Sequence, residues 1–274
     1  MRWLADEVAH LVGGNLSLEL RAGWVLRCHP AARRVYIRAQ IDDPAQAAEL
    51  DEFVSQCSPG MVLLDLGAHF GVFSLAALHY GGPHSFGVAV DPSRVATRMI
   101  MTQARLNGAT ERLGVVRAAV ADTVGSREML DVGVLADGYL VDADDAHPER
   151  DFVTVPAVTV DSLVDDLGRQ PTHIKIDVEG FEAAVLRGAQ RTLSTEPRPM
   201  LFIELHNAML RERGDDPGET LQLLSGLGYD DLRVAGRPTT PAALLSAPLA
   251  RVVAVAKPRQ QPDVQKWAVQ DSNL

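Results

Sequence analysis

Short apolar runs alternate with helix-like segments from residue 61 onward, and this alternation constrains the fold more than any other feature of the chain. Runs such as "MVLLDLG" and "SFGVAVD" are followed by the helix-like segments "VFSLAALHY" and "SRVATRMIMTQARLNG". Continuous apolar strands that alternate with helices are typical of a parallel sheet covered on both faces. The sequence therefore predicts an α/β domain.

The same alternation continues toward the carboxyl end. Strands are predicted at "LGVVRAAVAD", "HIKIDV" and "PMLFIEL", and helices at "GFEAAVLRGAQRTL" and around residues 218–227. The stretches "REMLDVGVLADGYLV" and "DFVTVPAVTVDSL" predict a local β region, and "YDDLRVAG" and "ARVVAVA" predict a final pair of strands.

Residues 1–59 do not follow this alternation and predict a small α+β cap. The pattern indicates a helix at about residues 2–12, strands at "LSLELRAGWVLRC" and "RRVYIRAQI", and a helix from Pro44 to Gln56. The "SPG" that follows marks a boundary. The predicted units are a cap at residues 1–59, a main domain at 60–256 and a flexible tail at 257–274.

Composition excludes several classes of protein. The net charge of −10 argues against a protein that binds a nucleic-acid backbone, because such a protein presents a basic stripe. No apolar stretch approaches the length of a membrane span, and the first residues carry acids where a signal peptide needs an apolar run. Cys28 and Cys57 have no zinc or disulfide spacing. We expect reduced thiols, a cytoplasmic location and a small-molecule partner, with the oligomeric state open.

The loop "DLGAHFG" follows the first predicted strand and precedes a helix. Gly67 and Gly71 would let the backbone approach a ligand closely, but the dinucleotide pattern G-x-G-x-x-G is absent. Asp65 would repel a pyrophosphate and suits a cationic ligand, while Asp91, after the second strand, can bind ribose hydroxyls. A ribose-containing cation without phosphates fits S-adenosylmethionine. The alternatives are tight strand–helix packing for the glycines and a helix start for Asp91.

Two further strand ends carry polar groups. Asp122, after the third strand, is a candidate for the adenine side or an ordinary turn residue. In "HIKIDVEG", Ile174, Ile176 and Val178 should point to one face of the sheet, and Lys175, Asp177 and Glu179 to the other. We expect the two acids at the lip of a cleft, because buried carboxylates need a partner. That partner is Lys175, a sulfonium or a divalent metal; otherwise Lys175 and Asp177 form a structural pair and Glu179 caps the next helix.

The strand "PMLFIEL" continues into "HN", which brings Glu204 and His206 to the same lip. A hydroxyl acceptor loses its proton as a methyl group arrives, and His206 has the ordinary pKa that best suits a general base near neutrality. The alternative is a surface histidine at a strand end. Asp177, Glu204 and His206 could also bind a divalent metal, a question that the spacing leaves undecided.

Together these segments resemble the FkbM family of S-adenosylmethionine-dependent methyltransferases. The resemblance lies in "VLLDLGAHFGVFSL", "VAVDPS", "AVADTVGS", "VTVDSLVDDL", "HIKIDVEGFEAAVLRGAQRTL" and "PMLFIELH", over residues 44–207. It implies a Rossmann-like, seven-stranded class I methyltransferase sheet. It also implies O-methylation of sugars or secondary metabolites.

The resemblance carries over to individual residues. It implies that the cofactor is lined by Asp65, Gly67, Ala68, His69 and Gly71, with Asp91 on the ribose. It places Asp177, Glu179 and Glu204 at the active site. The chain departs from the family pattern at His69, where asparagine is usual, and at Asp91, where glutamate is frequent. The rival interpretations are a nicotinamide-dependent oxidoreductase on a related sheet and a non-catalytic binding protein of the same fold.

Overall fold

The computed structural model describes residues 16–130 and 152–257, and a mixed sheet of eight strands forms its centre. In spatial order the strands are β12 (Arg237–Pro238), β11 (Asp231–Val234), β13 (Ala250–Val255), β10 (Met200–Leu205), β9 (His173–Ile176), β3 (Val62–Leu66), β4 (Phe86–Val90) and β5 (Leu113–Val116). The predicted Rossmann-like sheet is confirmed. It has eight strands instead of seven because the two-residue β12 folds back on β11 at the edge.

Strand directions create a crevice in the middle of the sheet. Strands β5, β4, β3, β9 and β10 are parallel, whereas β13 runs antiparallel to both β10 and β11. From β3 the chain builds outward to β4 and β5, and it later returns to the other side of β3 as β9. In open α/β sheets, ligands bind beyond the carboxyl ends of the strands where the order reverses in this way. The reversal here lies between β3 and β9.

Helices cover both faces of the sheet. They are α1 (Pro30–Ile37), α2 (Pro44–Gln56), α3 (Val72–Tyr80), α4 (Arg94–Leu106), α5 (Val160–Leu167), α6 (Glu182–Arg187), α7 (Gln190–Ser194), α8 (Asn207–Arg213), α9 (Gly218–Gly226) and α10 (Pro241–Ser246). A π-helical turn, Arg38–Asp42, joins α1 to α2. The predicted bounds of α2 are confirmed, as is the helix after the glycine loop.

Two smaller sheets flank the main one. The hairpin of β1 (Leu16–Arg21) and β2 (Trp24–Cys28) belongs to the cap, and β6 (Ala119–Val120), β8 (Phe152–Val158) and β7 (Gly125–Leu130) form a three-stranded sheet. The prediction of one strand over "LGVVRAAVAD" is wrong. Its first half is β5 at the edge of the main sheet, and its second half leaves that edge to pair with β8 as β6.

The predicted strand "RRVYIRAQI" is also wrong, because this stretch lies in α1 and the π-helical turn. His29 caps α1, with its Nδ1 accepting a hydrogen bond from Ala31 N, and Pro30 occupies the first turn, where proline favours a helix start. Ala32 and Tyr36, four residues apart, form the buried face. The β-branched and aromatic residues that suggested a strand are here packed on a helix.

The predicted helix "GFEAAVLRGAQRTL" is interrupted between α6 and α7. A Cβ on Gly188 would lie 2.3 Å from the carbonyl oxygen of Ala121, so the backbones meet where a side chain would otherwise stand. The helix expected at residues 2–12, the tail from residue 258 and the middle of the β region, residues 131–151, lie outside the described residues.

Two hydrophobic layers pack on opposite faces of the sheet. Ile174 and Ile176 belong to one layer, with Val178 packed against it, and this confirms the predicted alternation along β9. The other layer includes Trp24 and Phe53 of the cap together with Phe202 of β10. The cap therefore shares its core with the sheet on the face toward which Lys175 points.

Gly67 and Gly82 provide a matched test of this packing. Both have positive φ, +78° at Gly67 and +75° at Gly82. A Cβ at Gly67 would lie 1.7 Å from the Asp177 carbonyl oxygen, whereas one at Gly82 meets nothing within 4 Å. We expect Gly82→Ala to lower the free energy of unfolding by about 1 kcal/mol through backbone strain alone. Gly67→Ala should cost about 1–3 kcal/mol more. Urea unfolding measures both, and equal losses would contradict the close approach of β3 and β9.

Candidate active site

A cleft of about 670 Å³ opens at the carboxyl ends of the central strands. Gly67 and His69 line it from the loop after β3, and Asp91 from the end of β4. Asp177 lines it after β9, and Glu204 at the end of β10. The volume lies within the range of small-molecule sites, and the position is the one that the reversal of strand order predicts.

The glycine loop is held from both sides. The backbone N–H of Gly67 donates to Val90 O at 2.9 Å, and the N–H of His69 donates to Asp91 Oδ2 at 2.8 Å. On the cap side, the Tyr36 hydroxyl donates to Phe70 O at 2.5 Å. His69 stacks on Phe70 with ring centroids 4.4 Å apart. These bonds give the loop a fixed shape before any ligand binds.

Asp65 is turned away from the cleft. Its Oδ2 accepts hydrogen bonds from Ser74 N at 3.0 Å and from Ser74 Oγ at 2.6 Å, and the residue is 1% exposed. It lines only a smaller recess of about 80 Å³, together with Ala68 and Lys175. The direct contact with the cofactor expected for Asp65 and Ala68 is not supported by this placement. Asp65 instead fixes the start of α3 behind the loop.

Asp91 lies where the sequence predicts. Its two carboxylate oxygens accept from His69 N and Ser93 N, both at 2.8 Å, and each oxygen keeps a second lone pair. Burial raises the pKa of Asp91 to about 7, although these two backbone bonds act in the opposite direction. The carboxylate still borders the cleft, so it can accept hydrogen bonds from a ligand.

The wall beside Asp91 is largely apolar. It is formed by residues of α4, by β6 and by the residue before β6: Val95, Ala96, Met99, Ala118, Ala119 and Val120. Such a wall suits an aromatic base. Asp122 is not part of it, because its carboxylate pairs with Arg127 Nη2 at 2.9 Å. The adenine-side role considered for Asp122 is therefore not supported.

Lys175 pairs with the carboxylates around the charged strand β9. It is 1% exposed, and its ammonium lies 3.0 Å from Glu49 Oε1, 3.3 Å from Glu204 Oε1 and 3.6 Å from Asp177 Oδ2. The ring of Phe73 covers it, with the centroid 5.0 Å from Nζ. Burial by itself favours a neutral amine, but the carboxylates hold the pKa of Lys175 well above its usual value. The group is a permanent cation at the base of the cleft.

Arg251 of β13 adds a second cation on the far side of the same acids. Its guanidinium contacts Glu49 Oε2 at 3.0 Å and Glu204 Oε2 at 3.2 Å. Burial raises the pKa of Glu49, whereas Lys175, Glu49 and Arg251 outweigh burial at Glu204 and lower its pKa. Glu204 is therefore a fixed anion, and Glu49 is the member of the pair that holds a proton more readily.

Asp177 combines contact with Lys175 and access to the cleft. About 31% of its side chain is exposed. Burial in the recess raises its pKa, Lys175 lowers it, and the nearby carboxylates raise it again, with a net value of about 7. A carboxyl group with this pKa accepts a proton near neutrality more readily than an ordinary aspartate does.

His206 lies among carboxylates, which changes its predicted role. Its Nδ1 lies 2.7 Å from Glu182 Oε1, and its Nε2 lies 3.4 Å from Glu179 Oε2 and 3.7 Å from Asp177 Oδ1. Burial lowers its pKa, but the bond to Glu182 and the three negative charges outweigh burial and raise it to about 9. An imidazole that is already protonated cannot serve as a general base at neutral pH, so the interpretation of His206 as the base is not supported.

The same atoms form the cluster that could hold a metal. Ligand atoms of Asp177, Glu179 and His206 all lie within 4.8 Å of one another, so Glu179 takes the place that sequence analysis gave to Glu204. Nitrogen and oxygen ligands of this kind suit divalent transition metals. A metal ion would compete there with the proton of His206.

Sequence analysis missed three residues of the site: Glu49, Glu182 and Arg251. Glu182 follows Glu179 by three residues at the start of α6, and it is fully buried beside His206. Its place in the "HIKIDVEGFE" motif was a usable signal. Glu49 and Arg251 come from distant parts of the chain, and no local pattern marks them.

Lys175→Met tests the charge balance of the site. We expect the variant to lose about 3–5 kcal/mol of unfolding free energy, because three buried or half-buried carboxylates lose their shared cation. Lys257→Met is the control: Lys257 is 67% exposed and its partner Asp230 lies 4.0 Å away, so its loss should change stability little. Denaturant unfolding at pH 8 gives both values. A similar small loss in the two variants would show that Lys175 does not stabilise the cluster.

Comparison with known proteins identifies the family. The sequence model of the methyltransferase FkbM domain matches residues 65–230, well over half of the 274 residues. No curated protein sequence matches the chain. The matched region contains the glycine loop and the charged strand.

Solved structures with similar folds include two methylases and one protein that binds S-adenosylmethionine. An S-adenosylmethionine-dependent O-methyltransferase from Thermotoga maritima is 10% identical to this chain and has a TM-score of 0.48. The match covers 93% of this chain and 83% of the Thermotoga chain. A putative rRNA methylase from Clostridium thermocellum is 8% identical, with coverages of 77% and 95% and a TM-score of 0.46. Fibrillarin from Aeropyrum pernix, with bound S-adenosylmethionine, is 14% identical, with coverages of 76% and 73% and a TM-score of 0.43.

Among the described residues, no helix is both long enough and apolar enough to cross a bilayer. The family match, and not these distant structural likenesses, carries the assignment. The chain belongs to the FkbM family of S-adenosylmethionine-dependent methyltransferases.

Proposed function

We propose that this chain is an O-methyltransferase that transfers a methyl group from S-adenosylmethionine to a hydroxyl of a sugar or another small metabolite. The observation that carries the proposal is the excess of acids over cations on the side of the cleft formed by β9 and β10. On that side Glu49, Asp177, Glu179, Glu182 and Glu204 face Lys175, Arg251 and His206. A surplus of negative charge there favours the cationic part of a ligand.

The residues of the cleft fit the methyl donor. Asp91 offers free lone pairs for ribose hydroxyls, and the apolar wall with Val95 and Met99 suits the adenine. When bound, S-adenosylmethionine supplies a methyl group on a sulfonium, and sulfur keeps the bonding electrons as the methyl leaves. Asp177 and Glu204 supply the negative side of the cleft that stabilises such a cation.

Asp177 is the proposed proton acceptor. The acceptor hydroxyl loses its proton as the new C–O bond forms, and a carboxylate at the cleft surface with a pKa of about 7 can take that proton. Lys175 holds the carboxylate in position from below. Catalysis then depends on alignment in the cleft together with proton removal.

A small acceptor fits the cleft better than a nucleic acid does. The rim at β9 and β10 is acidic and the whole chain carries a net charge of −10, both of which disfavour a polyanion. The cap also covers part of the cleft, since residues of α1 line it.

Asp177→Asn should lower kcat about 10²- to 10⁴-fold while changing the affinity for S-adenosylhomocysteine less than threefold, because the amide keeps the shape but cannot accept the proton. In the native enzyme, kcat/KM should rise as the pH rises through about 7, since only the ionised Asp177 acts as a base. Both results come from initial rates of product formation, with the methylated product identified by means of a labelled methyl donor. Asp122→Asn, outside the cleft, is the control and should behave as the native enzyme; full turnover in Asp177→Asn would make Asp177 structural.

Calorimetry separates this function from the nicotinamide alternative. We expect S-adenosylhomocysteine to bind and NAD to give no heat, because the loop lacks the third glycine of a pyrophosphate cradle. Asp91→Asn should weaken S-adenosylhomocysteine binding at least tenfold, since the amide NH2 would face one of the two backbone N–H groups and would replace one of the two acceptor oxygens. Binding of NAD alone would overturn the methyltransferase proposal.

A further inference from the structure

We propose that Arg34 and Arg38 of the cap bind the carboxylate of the methyl donor. The inference rests on the function proposed above. It concerns a subsite formed by α1 and the turn that follows it.

The two arginines lie on the face of the cap that borders the cleft. Ala31, Arg34, Val35, Arg38 and Ala39 all line the cleft, and their spacing of three and four residues places them on one side of a helix. Arg34 and Arg38 are exposed. Within residues 16–130 and 152–257, no carboxylate forms an ion pair with either guanidinium. The cleft therefore has two cationic side chains that the described protein does not neutralise.

The charge of the donor calls for such a pair. S-adenosylmethionine carries a sulfonium and an ammonium, which suit the acidic rim, and a carboxylate, which that rim repels. The other cations of the cleft and its recess, Lys175, Arg251 and His206, already face protein carboxylates. Burying the donor carboxylate without a cation would oppose binding. Among the described residues, Arg34 and Arg38 are the cleft cations that no protein carboxylate pairs, so they are available to bind it.

The position of α1 agrees with this role. The Tyr36 hydroxyl donates to Phe70 O in the glycine loop, so α1 is anchored on the segment that borders the donor. Arg34 and Arg38 lie two residues before and two residues after this anchor. Guanidinium groups bind carboxylates through paired, charge-assisted hydrogen bonds, which makes arginine well suited to such a subsite.

The experiment compares two ligands that differ in the proposed contact. S-adenosylhomocysteine carries the carboxylate, whereas 5′-methylthioadenosine keeps the adenine, ribose and thioether without the amino-acid part. Both are titrated calorimetrically into the native full-length chain and into R34A/R38A. R98A/R105A is the matched control: it also removes two exposed arginines, but these lie on α4 and do not line the cleft. R34K/R38K keeps the charge without the paired geometry.

We expect R34A/R38A to weaken S-adenosylhomocysteine binding roughly 10- to 100-fold and 5′-methylthioadenosine binding less than threefold. The lysine variant should fall between, and the control should match the native chain for both ligands. Equal weakening of both ligands, or no weakening of either, would overturn the proposal; the second result would leave the arginines for an anionic acceptor. Failure of the native chain to bind S-adenosylhomocysteine would instead refute the proposed function.

Discussion

The buried ammonium of Lys175 is the interaction on which the rest of the site depends. A cation with 1% exposure is tolerated in a hydrophobic layer only because carboxylates from three separate parts of the chain surround it. Its position on β9, opposite Asp65 of β3 in the strand pairing, brings the charge to the centre of the sheet. The acids on the β9–β10 side of the cleft are held by this group, by Arg251 and by His206, and their excess of negative charge is what that side offers to a ligand.

The cleft has two sides with different chemistry. Toward α4 it is apolar, and Asp91 is fixed by backbone donors. Toward β10 it is dense with ionisable groups, whose mutual distances set their protonation. His206 shows how strongly neighbouring groups change protonation. Its ordinary pKa suggests a base, yet the contact with Glu182 makes it a cation. The role of a side chain here follows from its neighbours more than from its type.

Much of the fold could be predicted because its signals are local. The apolar runs of β3, β4 and β10 and the glycines after their helices mark elements that depend on nearby residues. The failures have nonlocal causes. The stretch Arg33–Ile41 carries β-forming residues but lies in a helix because Pro30 and the shared core favour it, and the helix expected after Gly180 breaks where Gly188 meets the backbone of Ala121.

The site shows the same division. Asp91, Asp177 and Glu204 stand at strand ends, and the parallel sheet brings strand ends together, so their convergence follows from topology. The direction in which each side chain points does not follow from the topology. Asp65 also stands at a strand end, but it turns toward Ser74, and Asp122 turns toward Arg127. Glu49 and Arg251 enter through tertiary packing alone.

Glu49 and Arg251 both lie outside the stretch that matches the family, one before residue 65 and the other after residue 230. The charge cluster around Lys175 is thus completed by segments that flank the matched stretch. A graft of residues 65–230 into another scaffold would carry Lys175, Asp177 and Glu204 without Glu49, which pairs with Lys175, and without Arg251, which pairs with Glu204. A substitution at Glu49 or Arg251 would therefore disturb charges that the matched stretch does not complete by itself.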